Sequence, residues 1–183
     1  MPTSGGFVAA HSAMPSTQVK DEGTSLNDHS LTEFEMPVHQ TTDPVTLQAY
    51  PARYLAAWSQ RDVDTALDVV ATELHWADPS LPAPMTTRAE ARGFFTATWQ
   101  GFPDLTMQPV GSPLVDAARR RVAQEWRMTG THTGEGFPPG VLPTGKAFDV
   151  SGTDVWEVDQ DGRAVSIHAY WDVATLMNQL GLV

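Results

Sequence analysis

Residues 148–171 read FDVSGTDVWEVDQDGRAVSIHAYW, and the architecture follows from them. Phe148 to Val158 and Ala164 to Trp171 are rich in β-branched and aromatic residues, and Asp161-Gly162 between them marks a tight hairpin turn. A period of two puts Val150, Gly152, Asp154, Trp156 and Val158 on one face of the first strand. On the second strand Val165, Ile167, Ala169 and Trp171 share a face, opposite His168, Tyr170 and Asp172. Asp154 is thus a carboxyl group on an otherwise apolar face. Burial disfavours its charged form, so such a residue is pushed towards neutral pH, where it can move a proton or donate a hydrogen bond.

Upstream of this hairpin lie two more strands, Leu105 to Val110 and Val122 to Thr129, and before them the chain is helical. Asp43-Pro44 is an N-cap followed by Pro at the first helical position. It opens a segment with Leu47, Tyr50, Tyr54, Leu55 and Trp58 at helical spacing, in which Pro51 predicts a kink or a late start. Asp62 caps a second short helix with Val63, Ala66, Leu67 and Val70 as its stripe. Next comes a strand, Leu74-His75-Trp76-Ala77-Asp78-Pro79, whose alternation puts a second carboxylate, Asp78, with Leu74 and Trp76. A proline-rich turn follows, and then Thr87-Arg88-Ala89-Glu90, a capping box that precedes Ala91, Phe94, Phe95 and Trp99 on one helical face. Thr175 to Leu180 suits a short closing helix.

Helices first and strands afterwards is an α+β pattern: a curved antiparallel or mixed sheet, covered by about three N-terminal helices, enclosing a cone with one open mouth. Trp76, Trp126, Trp156 and Trp171 fall on inward strand faces. They suit the lining of a pocket for a flat apolar ligand, or equally the filling of a core.

Composition bounds the function. At 183 residues, 41% of them hydrophobic, the chain is expected to build one domain over residues 43–183. Residues 1–42 are rich in Ser, Thr, Gly and Pro and predominantly acidic, and read as a disordered leader. The net charge of -11 argues against nucleic acid or an anionic membrane surface as a partner. Zero cysteines exclude disulfides and thiolate chemistry. No run approaches the roughly 20 apolar residues of a membrane span, the first residues lack a basic signal region, and a cytoplasmic location is the expectation. His75, His168 and Asp172 have no metal-ligand spacing, so no metal is expected. Glu125 and Arg127 read as a surface charge pair beside Ala123. His132 lies in a Gly-rich loop, where it contacts substrate or is simply solvated.

With these residues in view, residues 44–183 resemble the NTF2-like, cone-shaped α+β superfamily. Gly130-Thr131-His132-Thr133-Gly134, Pro143-Thr144-Gly145-Lys146, and the ending from Tyr170-Trp171-Asp172 to Gln179-Leu180-Gly181 are similar to the SnoaL-like polyketide cyclases. Ala52-Arg53-Tyr54-Leu55 and Ala77-Asp78-Pro79 resemble the segments of the ketosteroid isomerases that carry an oxyanion-hole tyrosine and a general base. Asp154-Val155-Trp156 with Ala169-Tyr170-Trp171 is similar to the strand pair carrying their protonated aspartic acid and a pocket tryptophan. Such isomerases are a known pattern for a carboxylic acid kept neutral by an apolar site.

The resemblance implies Asp78, Asp154 and Tyr54 as catalytic residues, with Asp172 as an alternative acid from the cyclase motif. Trp76, Trp126, Trp156, Trp171, Ala169, His132 and Asp172 are the expected substrate contacts. The implied activity is that of an isomerase or cyclase needing no cofactor, acting on a small hydrophobic ketone or polyketide-like substrate. A homodimer is expected through the outward face bearing His168 and Tyr170. The alternatives are an epoxide hydrolase or dehydratase of the same superfamily, and a non-catalytic ligand-binding module. The isomerases have a much shorter hairpin where this chain has Gly130 to Lys146, a stretch placed to cap the cone's mouth.

Overall fold

A computed structural model describes residues 44–183; the leader expected over residues 1–42 and the Asp43 cap lie outside the described residues. The element order is α1 (Pro44–Gln60), α2 (Val63–Asp68), β1 (Val70–Ala77), β2 (Met85–Thr87), α3 (Arg88–Gly101), β3 (Thr106–Asp116), β4 (Arg121–Thr131), β5 (Ala147–Val158), β6 (Ala164–Trp171) and α4 (Val173–Leu180). The strands form one six-stranded sheet in the order β2-β1-β6-β5-β4-β3. All neighbours are antiparallel except β1 and β6, which run parallel. The sheet is curved and unclosed, as the α+β reading requires.

The helices cover its inner face. In α1 the predicted stripe of Leu47, Tyr50, Tyr54, Leu55 and Trp58 is buried, and Pro51 is accommodated inside the helix. Tyr54 meets Trp156 of β5 edge-on at 5.1 Å and Trp76 of β1 at 6.0 Å, so one helix binds both halves of the sheet. The Tyr50 hydroxyl donates to Val69 O at 2.8 Å, which leaves that buried group satisfied. Helix α3 starts at the predicted capping box: Thr87 Oγ1 accepts from Glu90 N, and the Glu90 carboxylate accepts from Thr87 N at 2.9 Å.

Three elements differ from the sequence reading. Helix α2 stops at Asp68, so Val70, expected in its stripe, opens β1 instead. The proline-rich turn contains a short edge strand, β2, whose three residues pair with β1. Strand β3 continues to Asp116, well past Val110, because a bulge between Val110 and Leu114 with Gly111 at φ +70° absorbs a register shift. Gln124, 3% exposed on the inner side of β4, donates to Val110 O at 2.7 Å and so satisfies a carbonyl at the start of the bulge. The surface pair is also different: Arg127 bridges to Asp149 across the β4–β5 ladder, not to Glu125, because Thr129↔Asp149 and Arg127↔Ser151 registers bring Asp149 alongside.

Candidate active site

Asp154 sits mid-strand on β5, facing inward, 3% exposed. Its Oδ1 accepts from Trp126 Nε1 at 2.9 Å. That bond depends on Gly152: Trp126, Gly152 and Trp171 are direct neighbours across three strands. A Cβ on Gly152 would lie 2.5 Å from the Trp126 ring and 2.7 Å from Trp171 Cβ. The missing side chain lets the Trp126 indole lie across β5 and reach the acid two residues on. Burial pushes the Asp154 carboxyl up to about 7, against the Trp126 N–H, which holds it down; the Asp78 charge pushes it further up. Asp154 thus lies buried on the apolar face on which its period places it.

Asp78 lies one residue past the end of β1 and is half-buried. Its Oδ1 accepts from Ser80 N at 2.8 Å and Ser80 Oγ at 2.5 Å, and its Oδ2 accepts from Trp171 Nε1 at 3.3 Å. Asp78 also starts a turn, since Leu81 N donates to its backbone oxygen at 3.0 Å. The turn does not compete with the cavity, because it fixes the carboxylate at the rim.

Asp78, Asp154 and Tyr54 line one cavity, together with Trp76, Trp126, Ala169 and Trp171. Tyr54 is 1% exposed. Its hydroxyl is held well above the ordinary phenol range, first by burial and then by the nearby Asp154. It stays protonated as a donor. The cavity is otherwise apolar, walled by Trp58, Phe94 and Phe102, with Ser80 and Thr98 as further polar groups. Among the described residues, no group of three or more His, Asp or Glu could hold a metal ion.

Three expected contacts are elsewhere. Trp156 is fully buried behind Tyr50 and Tyr54 and serves as core, because α1 covers its ring before the cavity begins. His132 is neither solvated nor at the cavity: it is fully buried against Phe102 at 5.5 Å, and Thr144 N approaches its Nδ1 at 3.3 Å. Burial pushes its pKa down. Asp172 is exposed and caps α4, accepting from Ala174 N at 2.9 Å and Thr175 Oγ1 at 2.6 Å. It cannot serve as the acid of the cavity. No bend turns it inward, because β6 ends and the helix starts at that position.

Sequence reasoning missed the walls that come from outside the strands. Phe94 was legible as part of an apolar helical face, and Trp58 likewise, but nothing in their spacing distinguishes cavity from core. Ser80, two residues after Asp78, has the spacing of an Asx turn, which is the signal that was available for it. Phe137, in the Gly- and Pro-rich loop, gave none.

No curated protein matches this sequence. Among solved structures, the chain is similar to IdmH of Streptomyces antibioticus, a candidate polyketide cyclase, at 26% identity and TM-score 0.59, covering 74% of this chain and 98% of that one. It is similar to a candidate SnoaL-like polyketide cyclase of Jannaschia sp. CCS1, at 17% identity and TM-score 0.65 over 76% and 94% of the two chains. SalBIII, described as an epoxide hydrolase/cyclase-like enzyme in pyran ring formation in the polyether salinomycin, is 18% identical with TM-score 0.61, over 73% and 96%. Their cone fold is the one described above. Residues 52–167 match the SnoaL-like domain, and the chain belongs to that family of the NTF2-like superfamily.

Proposed function

We propose that the protein is a cyclase or isomerase in which side chains alone move the protons, acting on a small, largely apolar ketone. The observation that carries this reading is that one apolar cavity holds two carboxyl groups in different surroundings. Asp78 is half-buried at the rim and Asp154 is sealed inside with its pKa near 7. Pairs of acids whose environments push them apart are suited to separate acid and base roles.

In this reading Asp78 removes a proton α or γ to the substrate carbonyl. Tyr54 and neutral Asp154 donate hydrogen bonds to the oxygen as it becomes negative. Trp126 occupies Asp154 Oδ1 and so leaves Oδ2 to carry that proton. Return of the proton at another carbon shifts a double bond; attack of the enolate carbon on a second carbonyl of the same molecule closes a ring. The similarity to IdmH favours ring closure. The similarity to SalBIII supports a second reading, in which Asp78 activates a water or hydroxyl for epoxide opening.

Isomerisation of cyclohex-3-en-1-one to its conjugated isomer, followed by ultraviolet absorbance, tests the common step. Asp78→Asn is expected to lower turnover by about 10²-fold or more. Full turnover in that variant would leave Asp78 as a turn residue only.

A further inference from the structure

The segment between β4 and β5, residues 132–146, has no regular secondary structure, yet its backbone is fixed to the C-terminal half of α3. Thr133 N and Gly134 N both donate to Gly101 O at 3.2 Å. A Cβ at Gly134 would lie 1.9 Å from Gln100 O, one at Gly136 2.4 Å from Ala97 O, and one at Gly101 2.3 Å from Phe137 O. Backbone lies on backbone at all three points. At its base the segment is closed by His132 N to Lys146 O at 2.9 Å and Gly145 N to His132 O at 2.8 Å. This strap sends Phe137, 7% exposed, into the cavity wall.

The room left inside is small. Its volume is about 40 Å³, well below the about 150 Å³ of an apolar cavity that takes up benzene. A ring-bearing substrate therefore enters only if a lining side chain gives way. Most of the lining rings are held firmly. Trp58 meets Phe95 at 4.5 Å, and Phe102 meets Phe148 at 4.8 Å and Trp76 meets Phe94 at 5.5 Å, both edge-on. Trp126 and Trp171 are farther apart, but each is tethered through its indole N–H to an aspartate. Phe137 has neither a close ring neighbour nor a tether: its ring meets Phe94 only at 6.2 Å and Phe102 only at 6.1 Å.

We infer that Phe137 is the specificity-determining residue of this cavity: its ring turns aside to admit substrate, and the side chain at 137 sets how long an apolar substrate is accepted. The glycine contacts hold the strap in place, so size selection resides in that side chain and not in movement of the strap. The inference rests on the cavity being the substrate site and adds what limits its length.

Calorimetric titration of the wild-type, Phe137→Leu, Phe137→Ala and Phe137→Trp chains with toluene and with naphthalene tests it. Naphthalene is expected to bind about tenfold more tightly to Phe137→Ala, to a lesser degree more tightly to Phe137→Leu, and about tenfold more weakly to Phe137→Trp. Toluene, which also enters only when the ring turns aside but is shorter, should move in the same direction by a smaller factor, about threefold. Naphthalene affinities equal within about threefold across the series, or equal shifts for both hydrocarbons, would overturn the inference. Phe137→Leu, the milder change, carries the test if the alanine variant does not fold. Neither hydrocarbon offers a proton to Asp78 or an oxygen to Asp154, so this outcome is independent of the Asp78→Asn assay.

Discussion

At the scale of single residues, Asp154 yields the sharpest expectations. If its neutral form donates to the enolate, kcat/KM falls as pH rises through about 7, the value to which burial pushes this acid. Asp154→Asn donates at every pH, so its profile should lose that alkaline limb while retaining measurable turnover. Removing the Trp126 N–H, which holds the Asp154 pKa down, should move the limb of a Trp126→Phe chain to higher pH. Stability carries the same signature. Asp154 keeps its proton to about 7 when folded and only to the ordinary 3.8 when unfolded. The native state therefore binds more protons across that window. The stabilisation is full below it and is lost as pH rises through about 7. Denaturant titrations of wild type and Asp154→Asn at pH 4 and pH 8 check this. The difference between the chains should change by about 4 kcal/mol in favour of the variant at the higher pH. A pH-independent difference would show that Asp154 is not a buried, protonated acid. The position of Asp154 was legible in the sequence because an acid breaks a two-residue period. Its partner was not, since the Trp126 bond depends on the space left by Gly152 across the ladder.

At the scale of elements, legibility follows how local the determinant is. The α3 capping box lies within four consecutive residues, Thr87 to Glu90, and its bonds are as read. Asp62 likewise accepts from Thr65 N at 2.7 Å. Strand β2 was hidden because its residues, Met85 to Thr87, become a strand only through pairing with β1, a tertiary event that no local pattern reports. The strap, expected from its place in the chain to cap the cone's mouth, was legible only in part. Its Gly and Pro content predicts irregular backbone but not that the backbone lies on α3, and hence not that Phe137 reaches the cavity or that His132 is buried. Helix α3 carries Phe94 and Thr98 to the cavity and supports the strap at Gly101, at the end far from its cap. Thr87→Ala is expected to cost about 1 kcal/mol in chemical denaturation. Gly134→Ala drives a Cβ into Gln100 O, so it should displace the strap and increase proteolytic cleavage within residues 132–146, while Thr87→Ala leaves that cleavage unchanged.

For the molecule as a whole, the cone was readable because helices precede strands and the last hairpin alternates cleanly. What could not be read was which inward aromatics line space and which fill it. Trp76 and Trp156 have the same period-two signature and the same near-complete burial, yet only Trp76 borders the cavity, because α1 lies over Trp156. That choice is made by where Tyr50 and Tyr54 pack, a contact between segments about a hundred residues apart. Such contacts also make the fold one unit. A single cluster of buried side chains includes residues from α1, α2, α3, α4 and the sheet, and the strap joins it through Phe137. No element has a core of its own to retain when the others melt. Four of the six tryptophans, on α1 and three strands, belong to this cluster, and Trp99 of α3 and Trp171 of β6 pack against it. Their fluorescence therefore reports tertiary packing from every side, while far-ultraviolet circular dichroism reports the backbone. Thermal melts followed by the two signals should coincide within error. Separate transitions, with fluorescence lost first and helical signal retained, would mean that the helices hold together without the sheet, contrary to a cone whose cavity is built by both.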